Sequence, residues 1–275
     1  MADRTLPSTL DAVAESMRAK AALPLRQALT LAVLGGAYIA LAGFGSTAVS
    51  CNLTASPDTW GLGRCLSGLL FPIGLMMIVV GGGELFTGNC LMPEAVRRNT
   101  LSVPAMLRSW LLVYLGNAVG AVITAWLLSL SGLFQAAGGA VAAAVIRTAA
   151  GKAALGGTQA FVLGILCNWL VCLAVWLSSR TDTAAHKALL LFFPIWLFVA
   201  SGYEHSVANM YYLSAGVLAA ADPAAFAASG LAPSAVAALS AGGIAANMLF
   251  VTLGNIVGGA LFVGGAYALA YGRRT

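Results

Sequence analysis

Three ionisable side chains lie inside long apolar stretches of this 275-residue chain: Glu84, Glu204 and His205. Such groups are costly at membrane depth and default to a functional expectation. A carboxyl beside an imidazole can move protons or bind a small polar solute. Two hydroxyls, Thr87 and Ser206, stand close by in sequence. A hydroxyl can donate to an anion or accept from a protonated acid, although capping a half-helix is its commoner use. Each glutamate also sits near glycine where a helix would break. There it could simply accept hydrogen bonds from freed backbone amides, and that is the better reading of both. His205 differs, because its matching position in the other half of the chain is Leu85. Symmetry therefore does not require a histidine there; the plain alternative is a buried neutral ring satisfied by a carbonyl.

The two halves match in more than the glutamates. Gly82-Gly83-Glu84 is followed by Asn89, and Gly202-Tyr203-Glu204 by Asn209. One apolar segment later, Leu115-Gly116-Asn117-Ala118-Val119-Gly120 returns as Leu253-Gly254-Asn255-Ile256-Val257-Gly258. Paired, glycine-interrupted apolar segments point to a transport site near the bilayer midplane. A half-helix that starts after such a break offers its N-terminal amides to a negative ligand.

The elements that must hold these groups follow from composition. With 60% apolar residues, 8% charged residues and 32 glycines, the chain lacks the polar surface of a water-soluble domain. An all-α integral membrane protein with six transmembrane helices is expected, at roughly 20 residues per crossing. The spans fall near 29–49, 65–92, 105–131, 158–178, 187–213 and 244–271. The second and fifth carry the Gly-Glu phrases and are expected to be broken, since irregular backbone at that depth survives only inside protein or along a wet cavity. Three spans per half give an inverted three-plus-three repeat, about 29–131 and 158–271, within one domain, 29–275. Residues 1–28 mix charged and apolar residues at helical spacing, predicting an amphipathic cytoplasmic helix lying on the membrane. The first apolar run lacks a secretory-signal pattern and is expected to be retained. Ala-rich stretches at 136–150 and 219–243 read as loops or short re-entrant helices.

Lysine and arginine placement sets the orientation. With both termini cytoplasmic, Arg4, Arg18, Lys20, Arg26, Arg97, Arg98, Arg108, Arg180, Lys187, Arg273 and Arg274 lie inside, against Arg64, Arg147 and Lys152 outside. The net charge of +5 is thus a topology signal and calls for no nucleic-acid partner. Cys90, Cys167 and Cys172 read as small apolar filler, while Cys51 and Cys65 flank an outer loop and could pair. No cysteine spacing resembles a metal site, and nothing calls for a cofactor. An intramembrane enzyme using Glu204 and His205 lacks a nucleophile. A passive pore for water or ammonia is the other alternative.

The phrases Gly83-Glu84-Leu85-Phe86-Thr87-Gly88-Asn89, Asn168-Trp169-Leu170-Val171-Cys172-Leu173-Ala174-Val175-Trp176 and Ala200-Ser201-Gly202-Tyr203-Glu204-His205-Ser206-Val207-Ala208-Asn209-Met210 closely resemble the formate/nitrite transporter family, as does Gly254-Asn255-Ile256-Val257-Gly258-Gly259. The resemblance runs from about residue 24 to the last residue. It implies an aquaporin-like protomer in a homopentamer, one pore per protomer, in a bacterial or archaeal cytoplasmic membrane. It further implies that Thr87 and His205 face the pore and that Glu204 and Asn168 hold or polarise the histidine. Phe71, Phe198 and Val171 would form an outer hydrophobic slit, and Leu75, Leu85, Phe86 and Val171 an inner one. Lys152 would draw anions into the outer vestibule. The expected function is bidirectional, proton-coupled transport of a small monovalent anion, formate before nitrite or hydrosulfide.

Overall fold

The computed structural model describes residues 4–272, so Arg273 and Arg274 of the inner cation set lie outside the described residues. The helices run α1 Leu6–Ala21, α2 Leu25–Ser50, α3 Trp60–Leu70, α4 Pro72–Gly81, α5 Phe86–Asn89, α6 Pro93–Arg97, α7 Val103–Leu130 and α8 Ala140–Ala153. They continue α9 Gly157–Ser178, α10 Ala184–Ser201, α11 Ser206–Ala220, α12 Pro223–Ser229, α13 Pro233–Val236, α14 Ala241–Val257 and α15 Ala266–Tyr271. Proline opens α12 and α13, where its missing N–H would have had no helical partner, whereas Pro72 and Pro93 follow residues already in helical backbone, Phe71 and Met92, and mark the starts of α4 and α6. Between α14 and α15 the backbone widens into π-helical turns over Gly258–Gly265.

Among the described residues, seven helices are long and apolar enough to cross a membrane, against the six spans expected. The additional one is Leu133–Ala153, in the first Ala-rich stretch. Its first part, Leu133–Gly139, is a 3-10 segment in which Ala136, Ala137 and Gly138 leave helical backbone angles. The regular part, α8, has 14 residues, about 21 Å at ~1.5 Å per residue, short of a hydrocarbon core of ~30 Å. Alanine lets it lie close to α11, where a Cβ on Gly216 would collide with the Ala149 methyl. This stretch is therefore a packed helix. The second Ala-rich stretch forms α12 and α13.

Helix α2 packs on α7, and α9 on α14. Small residues set both approaches: a Cβ on Gly36 would overlap the Asn117 carbonyl, and one on Gly254 the Phe161 carbonyl. Helix α1 departs from its expected place. Its apolar stripe, Leu10, Val13 and Met17, is buried within the chain beside α6, α7, α9 and α15, so that face is not available to lipid. Ion pairs fix the same helix, Arg98 Nη1 to Asp11 Oδ1 at 2.5 Å and Arg4 Nη2 to Asp182 Oδ2 at 2.7 Å. Leu111, Leu115, Trp126 and Leu130 of α7, with Leu189, Phe193 and Leu197 of α10, point outward, as an exterior in lipid or against further copies requires. All five cysteines are free thiols, Cys51 buried and Cys65 exposed.

Candidate functional site

The two glycine phrases are where the backbone leaves the helix. Gly82 and Gly202 end α4 and α10 with φ of 89° and 81°, the left-handed region that glycine enters without steric cost. Four residues later in each case a new helix begins, α5 at Phe86 and α11 at Ser206. Free groups at the breaks are paired twice over by one pattern. Glu84 N–H donates to Leu31 O at 3.0 Å, and Glu204 N–H to Leu163 O at 3.3 Å. Asn117 Nδ2 donates to Ala32 O and Glu84 O at 2.7 and 2.8 Å while its Oδ1 accepts from Phe86 N–H at 2.9 Å. Asn255 does the same with Gly164 O, Glu204 O and Ser206 N–H, at 2.8, 2.9 and 2.9 Å. The echoed asparagines of the sequence are thus the clamps of the two breaks.

The carboxylates are paired in the same duplicate fashion. Lys20 Nζ lies 2.6 Å from Glu84 Oε1, and Asn89 Nδ2 donates to Glu84 Oε2 at 2.9 Å. Lys152 Nζ lies 2.7 Å from Glu204 Oε1, and Asn209 Nδ2 donates to Glu204 Oε2 at 2.6 Å. Lys152 also faces the Tyr212 ring at 5.3 Å, and its carbonyl accepts from Asn247 at 2.8 Å. Sequence reasoning did not assign Lys20 to the site. The signal was an offset: Lys152 follows Lys20 by 132 residues, the spacing that also separates Leu163 from Leu31. A lysine from α1 and one from α8, at that offset, thus pair the two glutamates alike.

Within this shared frame, three of the positions that differ between the halves stand together in space. His205, Thr87 and Asn168 are matched by Leu85, Val207 and Gly36 at the same offsets. The three polar residues meet. Thr87 Oγ1 is 3.0 Å from His205 Nε2, and Asn168 Nδ2 donates to Thr87 O at 3.1 Å and Asn255 O at 2.7 Å. Cys172 Sγ donates to the same Thr87 carbonyl at 3.2 Å, so it has a polar contact beyond filling space. His205 Nδ1 accepts from Ala208 N–H at 3.0 Å, capping α11. A nitrogen that accepts carries no proton, so these partners assign the ring proton to Nε2, directed at Thr87 Oγ1. The Thr87 hydroxyl is then an acceptor from His205 with its own hydrogen available to donate.

Two cavities lie near this group, one of them reaching His205, while Thr87 and Asn168 line neither. The first, about 460 Å³, is lined by His205, Glu204, Lys152, Arg64, Phe71 and Phe198 among others. The second, about 380 Å³, is lined by Lys20, Glu84, Leu75, Leu85, Asn89 and Lys187 among others. Arg64 closes the end of α10 by donating to Ala200 O at 3.2 Å and to Val199 O. Phe71 and Phe198 stand edge to face, centroids 5.5 Å apart, and the Phe198 ring lies 5.9 Å from the imidazole. Val171 is buried and lines neither cavity. Phe86 packs against Tyr114 and Trp110 of α7, centroids 4.9 and 6.0 Å away.

A family model described as "Formate/nitrite transporter" matches residues 7–269. The formate channel FocA of Haemophilus influenzae is 40% identical over 235 residues, covering 84% of this chain and 82% of that one. A probable formate transporter of Methanothermobacter thermautotrophicus is 36% identical over 90% of each chain. Among solved structures, an "FNT family ion channel" superposes with a TM-score of 0.82 at 30% identity, covering 96% of this chain and 98% of that one. A "Pentameric formate channel with formate bound" gives 0.78 at 32% identity, covering 90% and 97%.

Proposed function

The chain belongs to the formate/nitrite transporter family, a family of multi-pass membrane transporters and channels, and we propose that it carries formate across a cytoplasmic membrane through one pore per protomer. The observation that supports this most is a donor chain of two hydrogen bonds, Ala208 N–H to His205 and His205 to Thr87, which leaves the buried Thr87 hydroxyl a hydrogen to donate. Such a chain offers a hydrogen to an oxygen of a small anion. Relatives named for formate favour that acid over nitrite or hydrosulfide.

The proposed route follows from solvation. Lys152 draws the anion into the cavity that reaches His205, the outer one in this reading. Phe71, Phe198 and Val171 then strip its water, and Leu75, Leu85, Phe86 and Val171 do so from the inner side. An unpaired charge in such a slit costs several kcal/mol or more, in the range of ~3 upward. Passage as the neutral acid avoids most of this cost, because loss of solvation raises the acid's affinity for a proton. Asn168 Oδ1, buried with no partner among the described residues, supplies an acceptor for the acid's O–H. Charging His205 would place a proton on Nδ1 against Ala208 N–H. In this reading His205 therefore holds the substrate as a neutral donor through Thr87, Glu204 and Asn168 hold the break around it, and the proton arrives through water. Transport is proton-coupled and bidirectional.

In the bilayer we count six crossings, aquaporin-like, with α3–α4 and α5–α6 forming the broken second helix and α10 and α11 the broken fifth. The halves have opposite orientation, both termini are cytoplasmic, and α8 is a partial span. Residues 1–28 form a cytoplasmic segment and 29–275 one transport domain. Assembly as a homopentamer is supported by the pentameric relative.

Uptake into proteoliposomes under an imposed pH gradient, comparing formate, nitrite, hydrosulfide, acetate and lactate, tests the reading. Formate uptake that rises as external pH falls is expected. Voltage-driven flux independent of pH would contradict proton coupling, and preference for nitrite or hydrosulfide would reassign the substrate.

A further inference from the structure

A further difference between the halves lies behind the polar trio. Gly258-Gly259 matches Gly120-Ala121 in the echoed phrase, so the position that is alanine in α7 is glycine after α14. Ala121 is fully buried within regular α-helix. Gly259 lies at the start of the π-helical turns Gly258–Gly265, and its counterpart segment has none. Widened turns of this kind recur at functional sites, where they shift one face of a helix relative to its neighbours.

The atoms around Gly259 explain the exchange. A Cβ built there would lie 2.8 Å from Asn168 Nδ2, 2.7 Å from Cys172 Sγ and 2.7 Å from the Cys90 Cβ. The first two are the groups that donate to the Thr87 carbonyl. In the other half Asn168 is matched by Gly36, so no amide needs room beside Ala121. The sequence thus changes both members of the pair between the halves: Gly36 and Ala121 in one, Asn168 and Gly259 in the other.

We infer that Gly259 is a positioning residue for transport, leaving the space in which the Asn168 amide reaches Thr87 and so setting the hydroxyl that meets His205. This rests on the transport reading above. It assigns the glycine and the widened turns to the site, where helix packing alone would have explained a glycine on any close helix face.

Three proteins, Gly259→Ala, Asn168→Ala and the double variant, are compared with the unaltered chain for formate uptake into proteoliposomes across external pH. Gly45→Ala, in α2 and outside the widened turns, is the control, because a Cβ there meets nothing nearer than Leu70 Cδ1 at 3.9 Å. Gly259→Ala is expected to lower uptake about tenfold or more and to move its pH profile as Asn168→Ala does, with the double variant no worse than Asn168→Ala. Wild-type uptake in Gly259→Ala, or a loss that adds in full to that of Asn168→Ala, overturns the inference. If Gly259→Ala does not fold, recovery of folding in the double variant supports it, and failure of both assigns the glycine to packing against Cys90 and Cys172. Absence of uptake by the unaltered protein would instead overturn the transport reading itself.

Discussion

His205 Nε2 and Thr87 Oγ1, 3.0 Å apart, join the two helix breaks through one hydrogen bond between their side chains. Each belongs to a different half of the chain, and each stands where the other half has an apolar residue, Leu85 and Val207. The shared frame builds two equivalent breaks; these substitutions make a polar site from them.

Thr87→Val keeps shape and removes the hydroxyl, leaving the buried His205 N–H without its partner. Formate uptake should fall roughly ten- to a hundredfold, the size of leaving one buried donor unsatisfied, while Thr87→Ser retains most of it. Initial rates in proteoliposomes decide this, and equal rates in Thr87→Val would remove the hydroxyl from the route.

Asn117→Ala and Asn255→Ala should cost similar stability, because each loses three hydrogen bonds of the same kind. At ~0.6 kcal/mol per bond, the average measured in a membrane bundle, the loss is about 2 kcal/mol each. Thermal unfolding of the purified variants measures it. A large loss in one and none in the other would contradict the duplicate roles.

Much of this frame was legible in the sequence. The Glu84–Asn89 and Glu204–Asn209 phrases and the Asn117 and Asn255 echoes mark the breaks and their clamps, because a buried backbone interruption needs such partners wherever it occurs. His205 stood out for lacking a counterpart. Lys20 was missed because a lysine among the charges of an N-terminal segment reads as a solvated face; only its offset from Lys152 tells otherwise. The docking of α1 was not legible either, since an apolar stripe is the same whether lipid or protein covers it. Nor does glycine content distinguish π-helical turns at Gly258–Gly265 from a straight helix.

Lys152→Met removes the partner of a carboxylate whose side chain is 6% exposed. Breaking a buried pair from one side costs about 3–5 kcal/mol, so stability and uptake should both drop. Adding Glu204→Gln should restore much of the stability, because no unpaired charge remains. A double variant no more stable than Lys152→Met would show the pair to be unimportant to the break.

Docking of α1 should resist mild acid. The Arg4 hydrogen bond holds the Asp182 carboxyl below its ordinary value of 3.8, aided by the charges of Arg4 and Lys187. A lowered folded value means the link contributes fully above the ordinary aspartate range and is lost only as pH falls through the lowered one. Hydrogen exchange of α1 should therefore be protected alike at pH 8 and pH 5, and Asp182→Asn should raise exchange at both. Loss of protection between pH 8 and pH 5 would assign the docking to some other group.

The central claim is that His205 and Thr87 together receive the acid, and formate uptake by His205→Phe under a pH gradient addresses it most directly. Phenylalanine keeps a flat ring but has no N–H to orient Thr87. The account predicts uptake reduced roughly ten- to a hundredfold, by the loss of that hydrogen bond, with the rise at low external pH flattened. Uptake equal to the unaltered protein at every pH would contradict it.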